Sequence, residues 1–364
     1  MNKINLFDIG LHERYVQEAA MYEKDYYLAR VSVQQKDMYK VITEYGEVHA
    51  EVSGKLSYLA GDSTDYPAVG DWVLIDRTND KNGNAIIHHI LKRKSCFERK
   101  APGTGYERQI IAANIDTVFI CMALNNDYNL RRIERYLSIA WDSMASPVII
   151  LTKSDLCSDL EAKLLELEAV AIGVDIIVTS SKDGSSSNDF LKYLKKGKTV
   201  AFIGSSGVGK STLINKLMGK DILATNEIRD DDKGRHTTTS RQLFVLPDGG
   251  VVIDTPGLRE LQIATADFSK AFIDIMDLAE KCRFKDCRHE AEPNCAVQKA
   301  LKDGTLCTER FESYKKLKKE ALFEERKSTM TLAQAQKQKV IDMMGSLKVQ
   351  RQIKKSNKKN KGNR

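Results

Sequence analysis

The order of three short segments constrains this chain more than any other feature of it. Gly204-Ser205-Ser206-Gly207-Val208-Gly209-Lys210-Ser211 has the spacing of a phosphate-binding loop. Thr152-Lys153-Ser154-Asp155, a guanine-reading pattern, stands upstream of it, and Asp254-Thr255-Pro256-Gly257, a magnesium and γ-phosphate sensor, stands downstream. The guanine pattern ordinarily comes last. The order predicts a GTP-hydrolysing core whose chain has been cut and rejoined elsewhere.

Each segment has the surroundings its chemistry needs. The apolar run Thr199–Ile203 reads as a strand entering the loop, and an amphipathic helix begins at Ser211-Thr212-Leu213-Ile214. Gly204, Gly207 and Gly209 let the backbone turn its N–H groups toward phosphate, with Ser205, Ser206 and Val208 between them, and the helix start adds partial positive charge. Lys210 is expected on the β- and γ-phosphates, with Ser211 on Mg2+ and Thr212 closing the loop. Asp155 can accept from both the N1–H and the exocyclic amine of guanine, a donor pair adenine lacks, while the Lys153 stem lies against the base. Thr179-Ser180-Ser181-Lys182, one strand–helix unit later, would close over the guanine through a backbone amide.

Between the phosphate loop and Asp254 lies Lys233-Gly234-Arg235-His236-Thr237-Thr238-Thr239-Ser240, preceded by Asp230-Asp231-Asp232. A threonine such as Thr238 can ligate magnesium while GTP is bound and release it afterwards. Asp254 would hold magnesium through water, and the Gly257 N–H would meet the γ-phosphate. Leu258 follows Gly257 where many GTPases keep a water-orienting glutamine nearby, and an aliphatic group cannot orient water. His236 is the local candidate for that task; a surface histidine in a loop is the alternative. Slow intrinsic turnover, raised by a partner, is the expected consequence.

The chain has 364 residues and room for several domains. Residues 1–97 carry short alternating runs such as Tyr39–Thr43 and Asp71–Ile75, punctuated by glycines, which predicts an OB-like five-stranded β-barrel. Residues 98–265 begin with a polar connection, read as 98–112. They then alternate buried strands (Asp116–Met122, Pro147–Leu151, Asp175–Thr179) with helices, the pattern of an α/β domain with a parallel sheet. Residues 266–327 read as helical, with helices over Ala266–Ala279, Ala296–Lys302 and Glu309–Arg326, and 328–364 as a basic extension. The end of that extension, from Arg351, carries seven Lys and Arg and no acid, fitting either a solvated tail or a nucleic-acid contact. No apolar stretch suits a signal peptide or a membrane span, so a cytoplasmic location is expected.

Of the seven cysteines, Cys282, Cys287 and Cys295 cluster with His289 in a Cys-x4-Cys-x-His-x5-Cys spacing. Three thiolates and one imidazole suit a closed, structural zinc site. No position is left over for a catalytic water.

Together these features resemble the circularly permuted, ribosome small-subunit-dependent GTPases of bacteria, and the resemblance covers nearly the whole chain. It implies an N-terminal OB domain, a permuted GTPase domain, a zinc-binding helical domain and a role late in small-subunit maturation, with hydrolysis stimulated by the subunit. By position it carries the proposed catalytic histidine to His236 and the zinc ligands to Cys282, Cys287, His289 and Cys295. One departure is Thr152, where asparagine is common; the other is the long basic extension. The expected partners are GTP and GDP, the small ribosomal subunit and its rRNA, with no membrane and no second copy of the chain. The competing reading is an RNA-binding module whose affinity the nucleotide tunes without a required turnover step.

Overall fold

The structure, a computed structural model, describes residues 3–22, 25–35, 38–100, 108–180, 189–219, 222–223, 241–247, 249–254 and 268–329. Ser181, His236, Thr238, Gly257 and nearly all of the basic extension lie outside the described residues. The described residues divide into two compact units, one within Met1–Gln262 plus Ser269–Ile273, the other within Ile263–Phe268 plus Asp274–Arg364.

The first unit opens with a short helix α1 (Glu13–Ala19) and then β1 (Tyr27–Gln35), β2 (Met38–Thr43), β3 (Gly46–Val52), helix α2 (Gly54–Leu59), β4 (Trp72–Ile75) and β5 (Ala85–Ile90). These strands pair in the order β1-β2-β3-β5-β4, and an antiparallel β1–β4 ladder closes the ring. This is the expected five-stranded barrel. The period-two alternation of β3 sends Val48 and Ala50 inward, where Val41, Val73, Ile75 and Ile87 join them in the barrel core.

The stretch read as a polar connection is different in the structure. β6 (Cys96–Lys100) and β7 (Arg108–Ala113) form an antiparallel hairpin. Its charged first strand hid it, since Glu98, Arg99 and Lys100 do not look like a buried run. Ile110 to Ala113 are nonetheless buried, so one strand of the pair supplies most of the apolar surface.

The nucleotide-type half follows as β8 (Thr117–Ala123), α3 (Leu130–Asp142), β9 (Ser146–Thr152), α4 (Leu160–Glu168), β10 (Asp175–Val178), β11 (Thr199–Ile203), α5 (Lys210–Met218), β12 (Arg241–Val245) and β13 (Val251–Asp254). The order is β10-β9-β8-β11-β13-β12, parallel throughout except for β12. β8 and β11 are buried at every position, as strands covered on both faces must be. β12 also pairs antiparallel with β1 through Val33 opposite Gln242 and Gln34 opposite Arg241, so barrel and parallel sheet share one hydrogen-bonded ladder.

The second unit holds α6 (Ile273–Glu280), α7 (Ala296–Lys302) and α8 (Thr308–Thr329). Its core includes Ile275, Val297, Phe311, Tyr314 and Leu317, and the buried Arg310 forks onto Asp274 with two 2.6 Å bonds. The first helix starts at Ile273 rather than Ala266, and the described residues before it form a turn. Phe268, Ala271 and Phe272 are buried at the spacing of a helical face, which made the turn look helical in sequence.

Candidate nucleotide site and metal cluster

Parallel strands bring their carboxyl ends to one edge of the sheet, and in open α/β sheets ligands bind beyond that edge. Thr152 ends β9, Gly204 follows β11 and Asp254 ends β13, with β8 and β11 between β9 and β13. Three segments in permuted chain order therefore emerge side by side.

The loop after β11 is shaped by its glycines. Gly204 has φ +146°, and a Cβ there would lie 2.4 Å from the Cys121 carbonyl oxygen of β8, so only glycine lets the loop leave the sheet at this point. Gly209 takes a left-handed conformation at φ +94° and starts α5 at Lys210. The Lys210 ammonium donates to the carbonyls of Gly204 at 2.7 Å and Ser205 at 2.5 Å, folding back across the loop it belongs to. Ser211 and Thr212 occupy the first turn of α5, where backbone N–H groups lack intrahelical partners.

The guanine-reading segment is tied to this loop. Thr152, buried at the end of β9, donates its hydroxyl to the Val208 carbonyl oxygen at 2.7 Å. The side chain at the position where asparagine is common thus links the two segments directly. Lys153 is left-handed at φ 57°, which turns the chain into a short 3-10 turn over Ser154–Leu156. Ser180 donates its hydroxyl to Asp155 Oδ1 at 2.8 Å, and the Ser154 N–H reaches the Thr179 carbonyl oxygen at 3.2 Å. The Thr179–Ser180 segment therefore abuts the Ser154–Leu156 turn and aims the Asp155 carboxylate.

Sequence reading missed a further pair beside the loop. Arg132, in the first turn of α3, donates through Nη1 to both carboxylate oxygens of Asp127, at 2.8 and 2.9 Å, and to the Ser205 hydroxyl at 2.6 Å. Nothing in the one-dimensional pattern marks one arginine of an Arg-Arg pair for this. The only available signal was its place just past the carboxyl end of β8, the strand beside β11.

In the second unit, Cys282, Cys287, His289 and Cys295 bring one ligand atom each to within 4.8 Å of one another. Cys282 Sγ lies 3.6 Å from His289 Nδ1 and 3.8 Å from Cys295 Sγ, and His289 Nδ1 lies 3.4 Å from Cys295 Sγ. A tetrahedron with Zn–S bonds of ~2.3 Å has edges of about 3.8 Å. Cys282, His289 and Cys295 thus sit at the separations a zinc ion would impose, Cys287 lies within 4.8 Å of them, and the cluster could hold one. Burial, then the Lys318 charge, holds His289 below its ordinary pKa, which favours the neutral ring a metal ligand needs. His289 and Asn294 are left-handed at φ 61° and 58°, which folds the loop tightly enough to converge the four side chains.

Among the described residues no helix is long and apolar enough to cross a membrane. An ABC transporter family model matches residues 188–348, a span that contains the phosphate loop. The RsgA GTPase family model matches residues 90–264, from the end of the barrel to the end of the sheet. A small ribosomal subunit biogenesis GTPase RsgA 2 of Lactiplantibacillus plantarum is 49% identical over 96% of this chain and 98% of its own length. A small ribosomal subunit biogenesis GTPase RsgA of Methanosarcina acetivorans is 41% identical over 94% of this chain and 93% of its own. Among solved structures, YjeQ from Thermotoga maritima superposes with a TM-score of 0.62 at 28% identity, covering 82% of this chain and 99% of YjeQ. YloQ, described as a circularly permuted GTPase, gives 0.60 at 25% identity, covering 82% of this chain and 96% of YloQ. With relatives of 41% and 49% identity matched over nearly their whole length and the family model matching the sheet region, the chain belongs to the RsgA GTPase family.

Proposed function

We propose that this chain hydrolyses GTP to GDP and phosphate as a late maturation factor of the small ribosomal subunit, acting as a single copy in the cytoplasm and stimulated by the subunit it helps to mature. One observation carries the nucleotide half of this reading. Asp155, aimed by Ser180, and the phosphate loop, tied in through Thr152 and Val208, stand at the same sheet edge. The target follows from the full-length relatives, whose names give small ribosomal subunit biogenesis.

In this reading Thr152, Lys153, Ser154, Asp155, Ser180 and Ser181 select guanine. Gly204 to Thr212 cradle the phosphates, with Lys210 leaving the Gly204 and Ser205 carbonyls for the β- and γ-oxygens. Ser211, Asp254 and Thr238 are the residues that would hold Mg2+, which when bound neutralises charge on the phosphate oxygens. Gly257 donates its N–H toward the γ-phosphate, and His236 orients or deprotonates the attacking water. The Cys3His cluster holds a structural zinc that staples the helical unit, and the barrel and basic C-terminal extension bind rRNA. The test is GTP turnover with and without purified small ribosomal subunits. A multiple-fold rise is expected; a flat rate alongside tight, nucleotide-tuned subunit binding would replace the enzyme reading with that of an RNA-binding module.

A further inference from the structure

We propose that Arg132 is a positioning residue for the phosphate loop, holding Ser205 in place in both the GTP- and GDP-bound states; the proposal rests on the GTPase reading above. Two cations converge on Ser205, Lys210 on its carbonyl oxygen at 2.5 Å and Arg132 on its hydroxyl at 2.6 Å. Their roles separate once nucleotide binds. Lys210 must swing to phosphate, and the carbonyls of Gly204 and Ser205 lose its bonds at that moment. Arg132 is not needed elsewhere, because Asp127 already aims its guanidinium through both carboxylate oxygens. It stays on Ser205 when Lys210 leaves.

A restraint there is useful for a physical reason. The loop Gly204–Gly209 contains three glycines with positive φ, a backbone with large conformational freedom when unconstrained. Fixing Ser205 from α3, a thirteen-residue helix packed on the sheet, lowers the entropy that nucleotide binding must otherwise remove. An isolated surface ion pair contributes little. Arg132 differs in that its side chain is about two-thirds covered and its third contact reaches a neutral hydroxyl across 73 residues of sequence.

The experiment is stopped-flow dissociation of a fluorescent mant-GDP from the full-length chain, with Arg132→Ala, Ser205→Ala and the double variant. Arg132→Ala and Ser205→Ala should each speed dissociation about tenfold, the scale of one charged hydrogen bond. The double variant should dissociate no faster than either single one, because both remove the same bond. Thermal midpoints should stay near wild type, separating positioning from general destabilisation. An unchanged rate in Arg132→Ala, or single effects that multiply in the double variant, overturns the role of Arg132. Wild-type protein that bound no mant-GDP would instead sink the GTPase reading itself.

Discussion

Replacing Asp155 by asparagine tests the guanine site at its most specific point. The Asp155 carboxylate accepts a bond from the Ser180 hydroxyl at 2.8 Å, and an ionised carboxylate has about four acceptor sites in all, two of which the guanine N1–H and amine would use. Asparagine is the same size and keeps one oxygen, so the fold and the Ser180 contact can persist. The other oxygen becomes an NH2 group facing a guanine N–H. One charge-assisted hydrogen bond is lost, about 1.5–3 kcal/mol, and a donor is left opposed to a donor, a further ~1–3 kcal/mol. The sum, about 2.5–6 kcal/mol, corresponds to a weakening of roughly 10²–10⁴-fold in GTP affinity. Xanthine presents a carbonyl where guanine carries its amine, so the same NH2 becomes a partner and xanthosine triphosphate should bind better to Asp155→Asn than to wild type. Calorimetric titration of both proteins with GTP and xanthosine triphosphate reads the two changes directly. A variant that kept GTP affinity within about threefold of wild type would show that Asp155 does not face the base.

Three further outcomes follow from the same geometry. Thr152→Val removes the donor to the Val208 carbonyl oxygen and should lower stability by about 1–2 kcal/mol, seen as a melting midpoint several degrees lower, with Thr152→Asn nearer to wild type; equal midpoints for all three proteins would discount that link. Gly204→Ala drives a methyl group into the Cys121 carbonyl at 2.4 Å and should cost more than about 3 kcal/mol, whereas Gly207→Ala, at φ +70° with nothing within 4 Å, should cost only ~1–2 kcal/mol. Denaturant melts of the two variants should rank in that order, and the reverse ranking would contradict the loop geometry. Chelation with a strong zinc ligand should release one metal ion per chain and reduce helical circular dichroism, and Cys282→Ser should reproduce the loss; an unchanged spectrum after complete metal removal would leave the cluster without a structural role.

Strand positions and motif contexts were legible in sequence because they depend on local pattern. Val200–Ile203 is uniformly apolar and is followed by Gly204, and the structure places the strand at Thr199–Ile203. The barrel was legible as alternation, since its inner positions recur with period two. What stayed hidden depends on partners distant in the chain. Arg132 is one of two adjacent arginines on an amphipathic helix, and only its approach to Ser205 sets it apart from Arg131, which pairs instead with Glu134 at 2.5 Å. Thr152 looked like a weakened form of a common motif, yet its hydroxyl reaches the phosphate loop across 56 residues of sequence. β12 was hidden for a similar reason. Its polar Arg241 and Gln242 leave a short apolar run, and the strand forms because β13 and β1 flank it on either side.

That position of β12 explains why a permuted chain can keep the site and gain a connection. The motifs need only the carboxyl ends of parallel strands, and β9, β11 and β13 supply these whichever strand comes first. Cutting the chain ahead of β8 leaves the ladder β10-β9-β8-β11-β13 intact and frees the segment before β8 to carry another domain. Here that segment is the barrel, and it does not hang from a linker. Its β1 pairs with β12, while Arg241 at the start of β12 donates to the Ile110 carbonyl oxygen at 3.2 Å and to Gln109 Oε1 at 3.1 Å on β7. β12 begins at the residue directly after Lys233–Ser240, the stretch the sequence marks as responsive to the γ-phosphate. The strand that follows that stretch is therefore anchored on one side by the barrel and on another by the β6–β7 hairpin. A GTPase cut at this place has its barrel hydrogen-bonded to the strand that follows Lys233–Ser240 in sequence, a connection that a flexible tether between the two would not provide.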